Sequence, residues 1–336
     1  MYWLLSLLAV ISHSMAMTDP AQALYIKTPL VHSLTLSRLA EVPVYLKLEA
    51  LQPSGSFKDR GMGKLCSELK SQGVQQLISS SGGNAGHSVA HAGRILNIPV
   101  TVIVPETTKA IMLDKIKAQG AKVIVHGVNW NAADELAREM VQEDDLARYV
   151  SPYDDPLLWE GHSSMVDEIA EAGIKPGAII ASVGGGGLLC GILDGCKRHG
   201  WEDVVIVPAE TDGAASFAAA HKAGKVVRLA SIDTVATSLG ALEVTPEALK
   251  RSEAFTTRPE VVSDAQAVAA CMSFASDHRL LVEPACGAAL AVLYSKEHRE
   301  TLAGIGSIVV VVCGGSGVNL EILDNWCKSF GVAAAP

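Results

Sequence analysis

The sequence lacks the patterns that identify several large classes of protein. It has no excess of positive charge, because 27 lysines and arginines stand against 36 aspartates and glutamates, for a formal net charge of −9. A chain this acidic, with no basic run, is a poor match for a phosphate backbone, so no nucleic-acid partner is expected. It also has no Gly-x-Ser-x-Gly, Walker or zincin motif. Their absence disfavours serine hydrolases, nucleoside-triphosphate loops and zinc peptidases.

The seven cysteines lack the paired spacing of a disulfide framework or a zinc site. Their number is odd, they are widely separated, and no Cys-x-x-Cys pair occurs among them. This distribution is typical of free thiols in a reducing compartment. We therefore expect a cytoplasmic protein.

The N-terminal segment lacks basic residues, and the first lysine or arginine is Lys27. Residues 4–11 are apolar enough for the core of a signal peptide, but the positive leading segment is missing and the run is too short to span a bilayer. Three interpretations of this apolar extension, residues 1–23, stay open: a signal peptide, a weak surface anchor, or an upstream extension with Met17 as the working start. The unpaired cysteines favour the third, and no membrane partner is expected.

From residue 27 onward, short β-branched runs alternate with longer stretches of helical periodicity. This alternation predicts parallel sheets with helices on both faces, and 336 residues suffice for two domains. The predicted strands are 44–49, 75–79, 100–104, 122–126, 178–182, 204–209 and 307–312. The predicted helices include 58–72, 86–96, 108–119, 131–141 and 188–199. The predicted fold class is α/β, with two domains that are each an open, mostly parallel, twisted sheet flanked by helices.

A run of turn-forming residues at 151–156 is the expected crossing point between the two domains. We expect a small domain at 57–150, inserted into a large domain formed by 24–56 and 151–330. In open parallel sheets, ligands bind outside the carboxyl ends of the strands. The segments that follow the predicted strands are therefore the places to search for chemistry.

Four such segments are short, contain glycine and are followed by a helical pattern. They are Ser54-Gly55-Ser56-Phe57-Lys58, Ser81-Gly82-Gly83-Asn84-Ala85, Gly184-Gly185-Gly186-Gly187-Leu188 and Cys313-Gly314-Gly315. Four glycines between a strand and a helix predict a phosphate cup, because bare backbone amides approach an anion closely. The loop lacks the Gly-x-Gly-x-x-Gly pattern, which favours a phosphate monoester over a dinucleotide. The loop at 81–85 can hold a carboxylate.

Each feature alone has an ordinary explanation. A lone lysine at a helix start is commonly solvated, a glycine run can be a flexible loop, and Ser81 or Asn84 could simply cap a helix. Cys313 could be a core cysteine. The combination of a lysine, a phosphate cup, a carboxylate loop and a polar atom at a strand end favours a pyridoxal phosphate site.

Together the four segments resemble the tryptophan-synthase-β-like (fold type II) family of pyridoxal-phosphate enzymes, and within it the L-serine dehydratase/L-threonine deaminase group. The resemblance extends from about residue 25 to about residue 319. It implies that Lys58 is the catalytic residue and binds the cofactor covalently, that Phe57 packs on the pyridine ring, and that Asn84 bonds the ring hydroxyl. It also implies that Cys313 faces the ring nitrogen. The implied phosphate ligands are the amides of Gly184, Gly185, Gly186, Gly187 and Leu188.

The same resemblance implies a substrate site at Ser81, Gly82, Asn84 and Ala85. The main serine dehydratase form has alanine where this chain has Gly82, so the missing methyl predicts more room over the substrate and looser placement. A monovalent cation, expected to be potassium, is implied near the phosphate. Its implied ligands are the side chain of Glu210 and the backbone of Gly184, Ala214, Leu239 and Ala241.

The implied activity is β-elimination, which converts L-serine to pyruvate and ammonia, and L-threonine to 2-oxobutanoate and ammonia. The substrate is thus a small amino acid, and a homodimer is expected. Three alternatives stay open: a serine racemase or β-replacing synthase of the same fold, a non-catalytic pyridoxal-phosphate-binding protein, and a dinucleotide-dependent dehydrogenase. The four-glycine loop without a suitable acidic partner disfavours the last.

Overall fold

In a computed structural model, which describes residues 24–332, the chain forms two separate β-sheets with helices packed on their faces. The predicted extension at 1–23 lies outside the described residues. The strands are β1 (Leu30–His32), β2 (Val44–Lys47), β3 (Gln76–Ser79), β4 (Val100–Val104), β5 (Lys122–Val125), β6 (Ala147–Tyr149), β7 (Ala178–Ser182), β8 (Val205–Thr211), β9 (Glu260–Val262) and β10 (Ile308–Val311).

The helices of the same region differ widely in length and burial. They are α1 (Leu34–Ala40), α2 (Lys58–Ser71), α3 (Asn84–Leu96), α4 (Ala110–Ala118), α5 (Trp130–Gln142), α6 (Pro156–Glu171), α7 (Gly187–Arg198), α8 (Ser216–Ala223), α9 (Pro246–Ser252), α10 (Asp264–His278), α11 (Pro284–Tyr294), α12 (Lys296–Glu300) and α13 (Leu320–Phe330). Helix α11 has no charged residue and is buried from Pro284 to Leu293, as expected of a helix that is apolar on all sides.

The larger sheet has six strands in the order β1-β2-β10-β7-β8-β9. All neighbouring pairs are parallel except β1 and β2, which run antiparallel. Strands β7 and β10, in the middle of the sheet, are buried at every residue. Their near-continuous apolar sequences are those expected of strands covered on both faces.

The smaller sheet has four parallel strands in the order β5-β4-β3-β6. All four strands fall between residues 76 and 149. A separate apolar cluster, in which Ile78 and Ile103 meet Ala133 and Ala137, fixes α5 to one face of this sheet.

The predicted α/β class with two mostly parallel sheets is confirmed. Strands 100–104 and 178–182 were predicted with the observed bounds, and the other predicted strands differ by one or two residues at an end. Strands β1, β6 and β9 were not predicted. Each is only three residues long and lies at a sheet edge, so none carries enough alternation to be recognised.

A buried ion network fixes the first turn of α2 to β2 and α6. The guanidinium of Arg60 donates to Glu49 and to Glu168 at 2.7 Å each, and Lys47 pairs with the same Glu168. Because removing one member would leave a buried charge without a partner, this network is strongly constrained. It determines where Lys58, two residues before Arg60, meets the cavity described below.

Among the described residues, no helix combines the length and apolar character that crossing a bilayer requires.

Candidate active site

A cavity of about 1150 Å³ lies at the carboxyl ends of the strands of both sheets. All four predicted segments contribute to its wall, which includes residues 56–58, 81–85, 182–189 and 313–315. The structure therefore brings together side chains that the sequence separates by more than two hundred positions, in agreement with the strand-end rule.

Lys58 is the first residue of α2 and lies at the cavity wall. A turn at Gly55, whose φ of +86° favours glycine, precedes it. Its amine donates a hydrogen bond to the carbonyl oxygen of Pro152 and lies 5.1 Å from the centre of the Phe57 ring. Burial lowers the pKa of Lys58 to about 8, and the nearby Cys313 offsets this only in part. About a tenth of this amine is therefore neutral at pH 7, far more than at the ordinary lysine pKa of 10.5.

His162, on α6, packs against Phe57 and had no predicted role. The two rings meet edge to face with centroids 4.9 Å apart. Neither ring nitrogen of His162 has a hydrogen-bond partner in the described part of the chain. Burial, together with the charges of Lys58 and Arg60, lowers the pKa of His162 well below its usual value. His162 is thus a neutral packing group beneath the lysine.

The four-glycine segment forms the turn between β7 and the first residue of α7, with Gly186 at φ +93°. A Cβ at Gly185 would lie 2.4 Å from the ring of Tyr153, and one at Gly187 would lie 2.4 Å from the Tyr153 carbonyl oxygen. Only glycine permits this approach. Within residues 24–332, no side chain caps α7, so the amides of its first turn are available to an anion in the cavity.

The N-terminus of α3 is arranged similarly. Its capping position is Gly83, and no side chain from the described residues caps it. The alternative in which Ser81 or Asn84 simply caps this helix is therefore wrong. Two helix N-termini with open amides, one at each sheet, face one cavity, and both favour negatively charged groups.

The extra room predicted at Gly82 is absent. A Cβ built on Gly82 would lie 2.6 Å from Oγ1 and 2.7 Å from Cγ2 of Thr108. Thr108 belongs to the segment that leads from β4 to α4 and also lines the cavity. Its side chain fills the space that an alanine methyl would need, so Gly82 and Thr108 are complementary in size.

Cys313 follows β10 and is 6 % exposed at the cavity wall. Contact with the Cys286 thiol, together with burial, raises the pKa of Cys313 well above its usual value. The group is therefore a neutral thiol. Ser316, three residues later, accepts a hydrogen bond from Lys115 through its carbonyl oxygen at 2.6 Å and was not assigned a role from the sequence.

Asn84 bridges the two sheets. Its Oδ1 accepts the backbone N–H of Ser316 at 2.9 Å, and its Nδ2 donates to Glu283 at 3.0 Å. Glu283 was missed by sequence reasoning because it sits in no motif. Its one local signal is its position immediately before Pro284, the first residue of a buried helix.

The residues predicted to bind a cation lie after β7, at the end of β8 and in the segments that follow it. Glu210 is fully buried near the end of β8, and its two oxygens accept the amides of Phe217 and Ala218 at 2.8 Å. Burial raises the pKa of Glu210 to about 7, and the hydrogen bonds from the amides of Phe217 and Ala218 offset this only in part. A Cβ on Gly184 would lie 3.1 Å from the Cα of Leu239, so these two backbones are in contact.

The other predicted cation ligands, Ala214, Leu239 and Ala241, lie in the segments that follow β8 and α8. The amide of Ala241 donates to the carbonyl oxygen of Leu239 at 2.7 Å, and Ala214 ends a helical turn that directly follows β8. Among residues 24–332, histidine, cysteine, aspartate and glutamate side chains form no cluster of three or more that suits a metal.

Comparisons with known proteins agree with this geometry. A family model described as "Pyridoxal-phosphate dependent enzyme" matches residues 21–314. The chain is 45% identical to L-serine dehydratase/L-threonine deaminase of Mus musculus over 322 residues, which cover 94% of this chain and 98% of that one. It is 44% identical to the serine dehydratase-like protein of Homo sapiens over 307 residues, covering 89% and 93%. The crystal structure of a fungal L-serine ammonia-lyase from Rhizomucor miehei superposes with a TM-score of 0.87 at 37% identity, covering 91% and 99%.

Proposed function

The chain belongs to the pyridoxal-phosphate dependent enzymes, and on that basis we propose that it is an L-serine ammonia-lyase. It converts L-serine to pyruvate and ammonia, and L-threonine to 2-oxobutanoate and ammonia. The observation that carries this proposal is the convergence of Lys58, two open helix N-termini and the neutral thiol of Cys313 on one cavity. The high identity to L-serine dehydratases over nearly the whole chain selects the reaction.

The residues present fit pyridoxal phosphate. The Gly184–Gly187 loop and the amide of Leu188 would hold its phosphate, because their backbone is bare and α7 begins there. Asn84 would bond its ring hydroxyl, Phe57 would pack on the ring, and Cys313 would face the ring nitrogen. When bound, the cofactor supplies an electron sink for negative charge at the substrate α-carbon.

Lys58 serves as the base in this proposal. Its amine would hold the cofactor in the resting enzyme and would be free once the substrate is bound. The free amine then takes the proton from the substrate α-carbon. A pKa of about 8 for Lys58 suits this role, because a general base works best when its pKa lies near the operating pH.

The substrate carboxylate would be held at the start of α3 by Ser81 and the backbone amides of Asn84 and Ala85. The open amides and partial positive charge of this helix N-terminus favour a negative group there. Loss of the α-proton and the β-hydroxyl removes one water from L-serine. Hydrolysis of the carbon–nitrogen bond then returns one water and releases pyruvate and ammonia.

Cys313 governs which reaction follows loss of the α-proton. As a neutral thiol it places no negative charge opposite the ring nitrogen, so it does not hold that nitrogen in its protonated form. A carboxylate at this position would do so and would extend the lifetime of the carbanion. The thiol would therefore favour rapid elimination over transamination.

The finer features follow from the same proposal. A potassium ion bound by Glu210 and the backbone of Gly184, Ala214, Leu239 and Ala241 would compensate the buried carboxyl. The working protein is a cytoplasmic homodimer, and its seven cysteines are all free thiols in the described residues. Division into a small domain at 57–150 and a large domain at 24–56 and 151–330 is supported by the placement of the four-stranded sheet within 76–149.

The proposal is tested by one titration. Purified protein incubated with pyridoxal phosphate should gain an absorbance band in the near ultraviolet to visible range, and L-serine should perturb that band while pyruvate accumulates. A band without pyruvate would favour a non-catalytic binding protein. D-serine as the main product would favour a racemase, and a thioether formed from an added thiol would favour a β-replacing synthase.

A further inference from the structure

Glu283 is a buried carboxylate at the cavity wall, and the reaction outlined above assigns no role to it. It is 7 % exposed and lies in the loop between α10 and α11. Its Oε2 accepts from Nδ2 of Asn84 at 3.0 Å and from Oγ of Ser238 at 2.6 Å, and its Oε1 accepts the amide of Gly317 at 2.6 Å. Three donors from three separate segments thus converge on one side chain.

The backbone around Glu283 is shaped to fit this carboxylate. A Cβ on Gly315, which has a φ of +120°, would lie 2.4 Å from Cδ of Glu283, and one on Gly317 would lie 2.8 Å from its Oε1. Both glycines therefore allow the loop after β10 to close on the side chain. A site that encloses a carboxylate and offers it three donors is specific for a negatively charged acceptor.

The contact decides which way the carboxamide of Asn84 points. An amide side chain has nearly the same shape after a flip of its nitrogen and oxygen, so only its partners define its orientation. A carboxylate can only accept here, which turns Nδ2 towards Glu283, while the Ser316 amide holds Oδ1 on the other side at 2.9 Å. The second N–H of Nδ2 has only a long contact of 3.3 Å with Ser238, which leaves it available to a ligand in the cavity.

We propose that Glu283 is the positioning residue that fixes the Asn84 carboxamide for the cofactor ring and thereby ties the start of α3 to the loop after β10. This inference rests on the proposed function, in that Asn84 donates to the ring hydroxyl. Glu283 acts through Asn84 and does not touch the reacting atoms. Glu283 also fixes the two sides of the cavity relative to each other, because its hydrogen-bond partners come from the small-sheet side and from the large-sheet side.

The test compares Glu283→Gln with Glu243→Gln, each reconstituted with pyridoxal phosphate. Glu243 also lines the cavity but is half exposed at its mouth and pairs with Arg228 at 3.2 Å, so it is a matched control. Glutamine keeps the shape of Glu283 but replaces one acceptor oxygen with a donor. We expect cofactor affinity to fall by roughly tenfold or more, as for loss of a hydrogen bond to a charged group, and the absorbance maximum of the bound cofactor to move. Glu243→Gln should change neither.

A double variant separates positioning from general support of the fold. If Glu283 acts through Asn84, then Asn84→Ala and Asn84→Ala/Glu283→Gln should have the same cofactor affinity and the same absorbance maximum. Additive effects, or a folded Glu283→Gln protein with the wild-type spectrum and affinity, would overturn the proposal. If Glu283→Gln does not fold, Glu283→Asp, which keeps the charge but shortens the reach, is compared in the same way.

These readouts do not depend on serine turnover. A wild-type protein that binds pyridoxal phosphate but forms no pyruvate would overturn the proposed function and leave the spectral comparison intact. A wild-type protein that forms pyruvate, combined with an unmoved spectrum in Glu283→Gln, would overturn only the role of Glu283.

Discussion

The backbone N–H of Phe57 donates a hydrogen bond to the carbonyl oxygen of Cys313 at 3.2 Å. The turn that presents Lys58 is therefore bonded directly to the end of the strand that presents the thiol. A second bond, from Gly315 to Gly55 at 2.8 Å, repeats the connection. The proposed base and the proposed partner of the ring nitrogen are thus held together by backbone, and their spacing does not depend on flexible side chains.

The pKa of about 8 for Lys58 predicts how the cofactor-free protein captures pyridoxal phosphate. Only the neutral amine attacks the aldehyde, so the capture rate should be low at acid pH, rise with pH, and approach its plateau above a midpoint near 8. Rapid-mixing absorbance measurements from pH 6 to pH 10.5 would record this profile, with free lysine in solution as the control. A midpoint at the ordinary lysine value, near 10.5, would show that burial does not activate this amine.

The fit between Gly82 and Thr108 predicts a compensating pair of substitutions. Gly82→Ala should destabilise the protein by about 1–3 kcal/mol, as overpacking does, and should weaken serine binding, because the new methyl collides with Thr108. Thr108→Ala should relieve most of this loss in the double variant. Unfolding curves and KM for L-serine measure both effects.

Gly306→Ala supplies the stability control for this pair. A Cβ on Gly306 would meet no heavy atom within 4 Å, so its unfolding curve should stay close to that of the wild type. Equal losses of stability in Gly82→Ala and in the double variant would rule out the proposed complementarity.

Replacing the thiol opposite the ring nitrogen should alter the balance of products. Cys313→Ser keeps a neutral group and should retain pyruvate as the main product. Cys313→Asp introduces a carboxylate, which should slow pyruvate formation by roughly tenfold, or about 1.4 kcal/mol in the barrier, and raise the share of D-serine. Chiral analysis of the serine pool alongside a pyruvate assay measures this ratio. The same product ratio in the two variants would remove Cys313 from this role.

The buried carboxyl of Glu210 predicts a dependence on potassium. Pyruvate formation by the wild type should rise with KCl when ionic strength is held constant with a bulky organic cation salt. Glu210→Gln, which is close in shape but uncharged, should lose most of that stimulation. Glu160→Gln removes an exposed carboxylate that pairs with Lys64 and should keep it. A potassium response that survives in Glu210→Gln would place the cation elsewhere.

The features that the sequence predicts correctly are local, that is, formed by residues close together along the chain. The Lys58 turn, the four-glycine loop and the long buried strands are local patterns, and each was found where the structure has it. The edge strands β1, β6 and β9 carry only three residues each and depend on neighbours for their form. These strands form because of tertiary contacts, which the periodicity of the sequence does not reveal.

The residues that were missed act across long separations. Glu283 meets Asn84 across 199 positions, and Thr108 fills the space at Gly82 from the segment that follows β4. Neither residue has a motif, because its role comes from the shape of its neighbour. This is also why the sequence predicts open space at Gly82, where the structure is closely packed.

Borohydride reduction of the reconstituted protein tests the central claim most directly, because it converts the carbon–nitrogen double bond between cofactor and lysine into a stable single bond. Digestion and mass spectrometry should then find the pyridoxyl group on Lys58, while the Lys58→Ala variant should carry none at any specific position. Stoichiometric label on a different lysine, or none on the wild type, would contradict the account.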